Sequence, residues 1–176
     1  MDQVVIQGIG FVALLFVIFS FQKNKRLALL SFMLIGLLLF VVHYSLLGAW
    51  IGALMNLIEA GMVFVAFKKE TRLWAQQKFW PYLFISLFII AGAVTSKSWV
   101  DSFPVLAQIF GTIAVWQTNP RAIRFIMLAP RPLWFIYNLI VGSYAGMATE
   151  IFIFLSVVTG IVRFDILGKP KKQAKE

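Results

Sequence analysis

Apolar residues run along the chain in seven blocks, near residues 3 to 21, 27 to 45, 47 to 67, 80 to 95, 102 to 117, 123 to 140 and 144 to 166, separated by short polar or basic stretches. A helix that crosses the hydrocarbon core needs about 20 mostly apolar residues, so each block predicts one transmembrane helix. The second and third blocks abut. They divide around Ser45 to Gly48, because one run of about 40 residues is twice what a bilayer needs, and the division predicts a tight helical hairpin. The sixth and seventh divide the same way near Val141 to Ser143. The first block follows Asp2 with no preceding Lys or Arg and no small-x-small site after it, so it reads as a retained helix rather than a cleaved signal. The expected fold class is all-α, a polytopic membrane protein of seven transmembrane helices.

Composition agrees with that reading. Of 176 residues 61% are hydrophobic and 13% charged, with mean hydropathy +0.88, whereas a soluble domain carries roughly 25% charged residues. With no cysteine and a single histidine, disulfides, zinc clusters and thiol nucleophiles are excluded, and carboxylates are left for most acid/base schemes. No metal, cofactor or catalytic residue is expected. The net charge of +9 does not point to nucleic acid, because the basic residues lie between apolar runs instead of on one folded face.

That charge reports topology. With helices alternating in direction, fourteen of the sixteen Lys and Arg residues fall on one side, among them Lys23, Lys25, Arg26, Lys68, Lys69, Arg72, Lys78, Arg121, Arg124 and Arg163. Lys97 lies in an opposite loop beside Asp101, and Arg131 lies inside the sixth block. Positive charge in short loops favours the cytoplasm, which predicts an outside N-terminus and an inside C-terminus. The basic tail, residues 167–176, reads as a solvated anchor near anionic headgroups.

The two halves of the chain match. F-Q-K-N-K-R ending at Arg26 corresponds to W-Q-T-N-P-R ending at Arg121, an offset of 95, and G-A-W-I-G-A-L-M-N from Gly48 to Asn56 corresponds to G-S-Y-A-G-M-A-T-E from Gly142 to Glu150, an offset of 94. This register pairs Gly48 with Gly142, Gly52 with Gly146, Asn56 with Glu150, His43 with Tyr137, and Gly36 with Pro130. Helices 1 to 3 (residues 1–72) and 5 to 7 (residues 101–166) are therefore expected to be repeats, joined through helix 4 (residues 73–100). An odd joining helix makes both units cross the membrane in the same direction, a 3+1+3 parallel-repeat layout. Transporters of that kind hold their solute at the repeat interface near the midplane.

Through H-Y-S-L-L-G-A-W-I-G-A-L-M-N in the first half, F-P-V-L-A-Q-I-F-G-T in helix 5, and W-F-I-Y-N-L-I-V-G-S-Y-A-G-M-A-T-E with V-R-F in the second, the chain resembles the YgjV family of bacterial inner-membrane proteins. The layout is also similar to the SWEET and PQ-loop superfamily, which includes sugar facilitators, the PnuC vitamin transporters and the KDEL receptor. In SWEET facilitators an asparagine on the third helix of each unit faces the solute, and the matching positions here are Asn56 and Glu150. Those proteins carry prolines in the first two helices of both units. Here Pro104, Pro130 and Pro132 occupy only the second unit, a departure from symmetric hinging and from a sugar as the implied substrate.

The candidate site is drawn from polar residues at membrane depth, where a charged side chain costs about 2.5–3.5 kcal/mol on insertion scales and turns toward the bundle interior. Glu150 is either a solute-binding or proton-coupling carboxylate or the partner of Arg131 in an ion pair. Asn56 and Glu59, three residues apart, share a helix face. Asn56 either binds solute or makes an interhelical hydrogen bond, and Glu59, whose repeat equivalent is Ile153, reads as structural. Arg131, between two prolines, is either a kinked gate or anion clamp or a side chain snorkelling to the interface. Trp134 and Asn138, with Tyr137, either stack on and orient a planar or sugar-like solute or anchor the helix at the interface. His43 reads as a local hydrogen-bonding residue, Gln7 and Gln108 are weaker lining candidates, and the paired glycines read as packing sites.

The leading expectation is a transporter or facilitator of a small polar metabolite working by alternating access between two three-helix units. A receptor-like or structural membrane protein of the same fold is the alternative. No paired-metal motif, phosphate loop or Ser-His-Asp order is present, so an enzyme is not expected. Expected partners are membrane lipids and a small polar solute, without nucleic acid, and a homo-oligomer is compatible with the sequence.

Overall fold

The structure, a computed structural model, describes residues 2–69, 71–117 and 119–167. The basic tail from residue 168 onward lies outside the described residues. Eight α-helices follow in order: α1 (Gln3–Phe21), α2 (Arg26–Leu46), α3 (Trp50–Lys68), α4 (Trp80–Thr95), α5 (Ser102–Val115), α6 (Pro120–Ile126), α7 (Pro130–Val141) and α8 (Tyr144–Ile161), the last continuing through a π-helical turn over Val162–Ile166. Short 3-10 turns, Leu73–Gln76 and Trp99–Asp101, precede α4 and α5. No strand is present among the described residues.

Four helices are long and apolar enough to cross a membrane, namely Gln3–Phe21, Arg26–Leu46, Trp50–Lys68 and Tyr144–Ile166. The other blocks are shorter or broken. α4 has 16 residues, about 24 Å at 1.5 Å per residue, and α5 reaches 17 residues only with its preceding 3-10 turn, Trp99–Val115. The sixth block is not one helix. It divides into α6 and α7, because Pro130 and Pro132 lack the amide hydrogens that would bond back to the previous turn, and the chain makes i to i−3 turns through Leu128 and Ala129 instead.

Local chemistry sets the ends. The Asp2 carboxylate caps α1 at Val4 N, and Asn119 Oδ1 caps α6 at Arg121 N. Asp101 Oδ2 accepts from the backbone N–H of Lys97 and of Ser98, so it closes its own loop. The two tight hairpins, α2 to α3 and α7 to α8, each turn on a left-handed glycine, Gly48 at φ +72° and Gly142 at φ +74°. A Cβ strains that conformation.

In plan, α2 packs between α1 and α3, and α7 packs between α5 and α8. α1 meets α8 on one side and α3 meets α5 on the other, so α1, α2, α3, α5, α7 and α8 close a ring, with α4 outside it against α3 and α5. The exterior of this bundle is more apolar than that of a soluble domain. Its exterior carries Phe11, Leu15, Leu38, Val42, Leu87, Ile90, Leu139, Ile140, Phe154 and Leu155, while Ser20, His43, Asn56, Gln108, Thr112, Asn138, Ser143, Thr149 and Glu150 are buried inside. Such a surface is stable only in a nonpolar solvent, the interior of a bilayer.

Candidate functional site

The polar residues inside the ring form two layers. The first closes the end of the bundle where the two hairpins turn. There His43 Nδ1 lies 2.9 Å from Ile6 O and Nε2 lies 2.8 Å from Ser143 Oγ. Since Ile6 O only accepts, Nδ1 carries the proton in this assignment. Ser143 Oγ in turn accepts from Gly146 N at 3.0 Å. Tyr44 O–H donates to Asn138 Oδ1 at 2.6 Å, and Tyr137 Oη accepts from Gly52 N at 3.0 Å. Gln7 ties α1 to the second hairpin by donating to Gly142 O and accepting from Tyr144 N.

Glycines permit this layer. A Cβ on Gly10 would lie 2.8 Å from the His43 ring, one on Gly52 would lie 2.9 Å from Tyr137, and one on Gly146 would lie 2.5 Å from Asn138 Oδ1. The layer is thus closely packed around these glycines, and with His43, Ser143, Tyr137, Asn138 and Tyr44 all buried it seals this end.

Below that layer is a cavity of about 220 Å³. Its closed end, against the seal, is formed by Tyr44, Trp134, Thr149 and Gly146, and its walls run from there past Phe21, Leu30, Ala66 and Val115, residues near the far ends of α1, α2, α3 and α5. It therefore reaches toward the end of the bundle that carries Lys23, Arg26, Lys68 and Arg121. The aromatic side is continuous, with Phe40 stacked on Tyr44 at 5.8 Å between ring centroids and Tyr44 stacked on Trp134 at 6.0 Å.

Five of the six expected site residues, Asn56, Glu59, Arg131, Trp134 and Glu150, line this cavity. Asn138 does not. It sits in the seal, with its Nδ2 buried and without a hydrogen-bond partner among the described residues. Arg131 Nη1 donates to Glu150 Oε2 at 2.9 Å, which realises the ion pair. It neither snorkels nor bonds the carbonyls freed by the prolines, because a carboxylate on the facing helix is a stronger acceptor than a neutral carbonyl. Trp134 is buried, not an interfacial anchor. Asn56 Nδ2 donates to Gly52 O of its own helix at 2.9 Å instead of bridging two helices.

Glu59 is half-buried and accepts at Oε2 from Gln108 Nε2 at 2.7 Å. It lines the same cavity as Arg131 and Glu150. Gln108 is held in turn by α5, where Thr112 bonds the Gln108 carbonyl. Among the described residues no cluster of His, Cys, Asp and Glu could hold a metal ion. On the outer side of α7 and α8 an apolar groove of about 340 Å³, lined by Phe135, Ile151 and Phe154, reaches the same ion pair from the lipid face.

Sequence reasoning underrated Gln108 and missed Tyr44, which lies 94 residues before its hydrogen-bond partner Asn138. It also missed a second ion pair, Arg124 Nη2 to Asp165 Oδ1 at 2.7 Å, which ties α6 to the turn after α8.

Comparison with curated proteins and with solved structures gives no match. A family model described as a bacterial inner membrane protein, Imp-YgjV, matches residues 4–167. That span takes in all eight helices and both layers of the site, and the chain belongs to the Imp-YgjV family of bacterial inner membrane proteins.

Proposed function

We propose that the protein carries a small polar metabolite across the inner membrane by alternating access between two three-helix units, residues 1–72 and 101–166, joined by helix 4 in a 3+1+3, SWEET-like arrangement. One observation carries this reading. The cavity is lined at equivalent positions of the two halves: Phe40 and Trp134, Asn56 and Glu150, and Glu59 and Ile153, each pair 94 residues apart. Met33 with Met127 and Leu37 with Arg131 obey the same offset. A binding site on the axis between parallel repeats is where transporters of this class hold solute.

The contacts between the units support it further. Under the offset α1 corresponds to α5 and α3 to α8, so the junction of α1 with α8 and that of α3 with α5 are the same junction made twice. In this reading the basic end of the bundle is cytoplasmic, the N-terminus is outside and the C-terminus inside. The structure then corresponds to an inward-facing state, with the hydrogen-bonded seal as the closed outer gate. The site works by binding and release, without chemistry on the solute. Membrane lipids and the solute are the partners.

Accessibility tests it. The chain has no cysteine, so Thr149→Cys places a single thiol in the cavity. Alternating access predicts that an impermeant maleimide reaches it from the cytoplasmic face of inverted vesicles and, more slowly, from the outer face of intact cells. Labelling from the cytoplasmic face alone, with no flux in proteoliposomes, would support a receptor-like pocket instead.

A further inference from the structure

The cavity's charges do not balance. Among the described residues its lining holds two carboxylates, Glu59 and Glu150, against one guanidinium, Arg131. Arg131 bonds Glu150 at 2.9 Å through Nη1 alone, and its Nε is buried without a hydrogen-bond partner among the described residues. The hydrogen-bond donor to Glu59 is a neutral amide, Gln108. A carboxylate inside a membrane is stable only when a cation or a proton accompanies it, so Glu59 must share its place with one or the other. The same cavity is lined by the aromatic side chains Phe40, Tyr44 and Trp134, and aromatic rings attract cations, more strongly where water is excluded.

We propose that the solute is a small organic monocation, with Glu59 as its counter-ion and the aromatic wall as its second contact, and that its entry displaces one proton from the Glu59 carboxyl group. This rests on reading the cavity as the solute site of a transporter. The exchange balances: one cation enters, the O–H bond of Glu59 breaks, and the proton passes to bulk water along the cytoplasmic opening. The cavity keeps the same net charge in both states, so neither leaves an unpaired carboxylate in the membrane. The charged or titratable groups facing Glu59 are Arg131 of α7, Glu150 of α8 and Tyr44 of α2, while α1 and α5 present Ser20 and Gln108, which do not titrate. His43 lies behind Tyr44 in the seal and does not line the cavity.

The wild-type protein in nanodiscs provides the test. Titration with N-methylpyridinium and with tetramethylammonium, against the neutral probes pyridine N-oxide and tert-butanol, is followed by calorimetry and by a pH dye in weak buffer. The expected result is binding of at least one cation at least tenfold tighter than its neutral counterpart, release of about one proton per cation, and, by reciprocal linkage, affinity that weakens about tenfold per pH unit on the acid side. Glu59→Gln, which keeps a hydrogen-bonding partner for Gln108, should abolish proton release and pH dependence while melting within a few degrees of wild type. Cation binding no tighter than that of the neutral probes, or binding without proton release, or release that persists in Glu59→Gln, overturns the proposal. Flux of the same probes in proteoliposomes separates the two ideas. Binding and proton release without flux would remove the transporter reading and leave the cation site standing, whereas flux of neutral metabolites without cation binding would do the reverse.

Discussion

The Tyr44 hydroxyl donates to Asn138 Oδ1 at 2.6 Å across 94 residues of chain, the separation that also relates the left-handed glycines Gly48 and Gly142. Under the proposed duplication these are equivalent positions, so each meets its own counterpart at the centre of the bundle, on the approximate axis. A contact of that kind is remade or broken whenever one unit rocks against the other. In the transport cycle proposed above it is the latch of the outer gate.

Tyr44→Phe removes the latch while keeping the ring stacked between Phe40 and Trp134. Asn138 Oδ1 then loses its donor inside the bundle, at a cost of about 1–3 kcal/mol. The expected outcome is a lower melting temperature together with faster labelling of Thr149→Cys from outside. A melting change with unaltered outside labelling would show that the bond is structural and not part of a gate.

The Arg131 and Glu150 pair should behave as a unit. Glu150→Ala leaves a buried guanidinium without its carboxylate and is expected to cost about 3–5 kcal/mol, whereas removing both charges with apolar residues of similar size should be far milder. A double-mutant cycle read by thermal melting in detergent checks this. Additive losses would mean that the 2.9 Å contact contributes no coupling.

Glycine substitutions should sort by what their Cβ meets. Gly146→Ala puts a carbon 2.5 Å from Asn138 Oδ1 and 2.6 Å from Ser143 Oγ, both held in the seal, whereas a Cβ on Gly8 meets nothing within 4 Å. The first is expected to destabilise by about 1–3 kcal/mol. Gly8→Ala, on an exposed helix face, should be neutral or stabilise by about 0.5–1 kcal/mol. Comparable melting temperatures for the two variants would contradict the close packing at the seal.

Topology is open to a direct check with single cysteines. In the orientation proposed above, Ser98→Cys, in the exposed turn before α5, should react with an impermeant maleimide on intact spheroplasts. Gln22→Cys, at the exposed end of α1, should react only after permeabilisation. The reverse pattern would invert the assignment of both termini and turn the cavity to face outside.

Much of the architecture was legible because the bilayer constrains composition strongly. Lengths of apolar sequence set where helices start and stop, as the close agreement over α1, α2, α3 and α8 shows, and Gly48 and Gly142 marked both hairpins because tight reversals favour a residue without Cβ. The sixth block was misread as one helix because hydropathy sums side chains and takes no account of the backbone, and its two prolines act through missing amide hydrogens. Asn56, Glu59, Arg131, Trp134 and Glu150 could be nominated as interior groups, since lipid cannot solvate them.

Which of those groups meet was not legible. A helical period states the face on which Glu59 lies but not what stands opposite. That depends on how far each helix slides and turns against its neighbours, and those shifts are settled by small residues such as Gly10, Gly52 and Gly146 acting in concert across the whole bundle. The amino-acid sequence alone determined that this is a helical membrane protein with polar residues at depth, because insertion energies are local and nearly additive along the chain. Only the tertiary structure decided that Arg131 pairs with Glu150, that Asn138 belongs to a seal and not to the cavity, and that the hydrogen-bond partner of Glu59 is the neutral Gln108, because pairing is a property of distances between helices that no single segment contains.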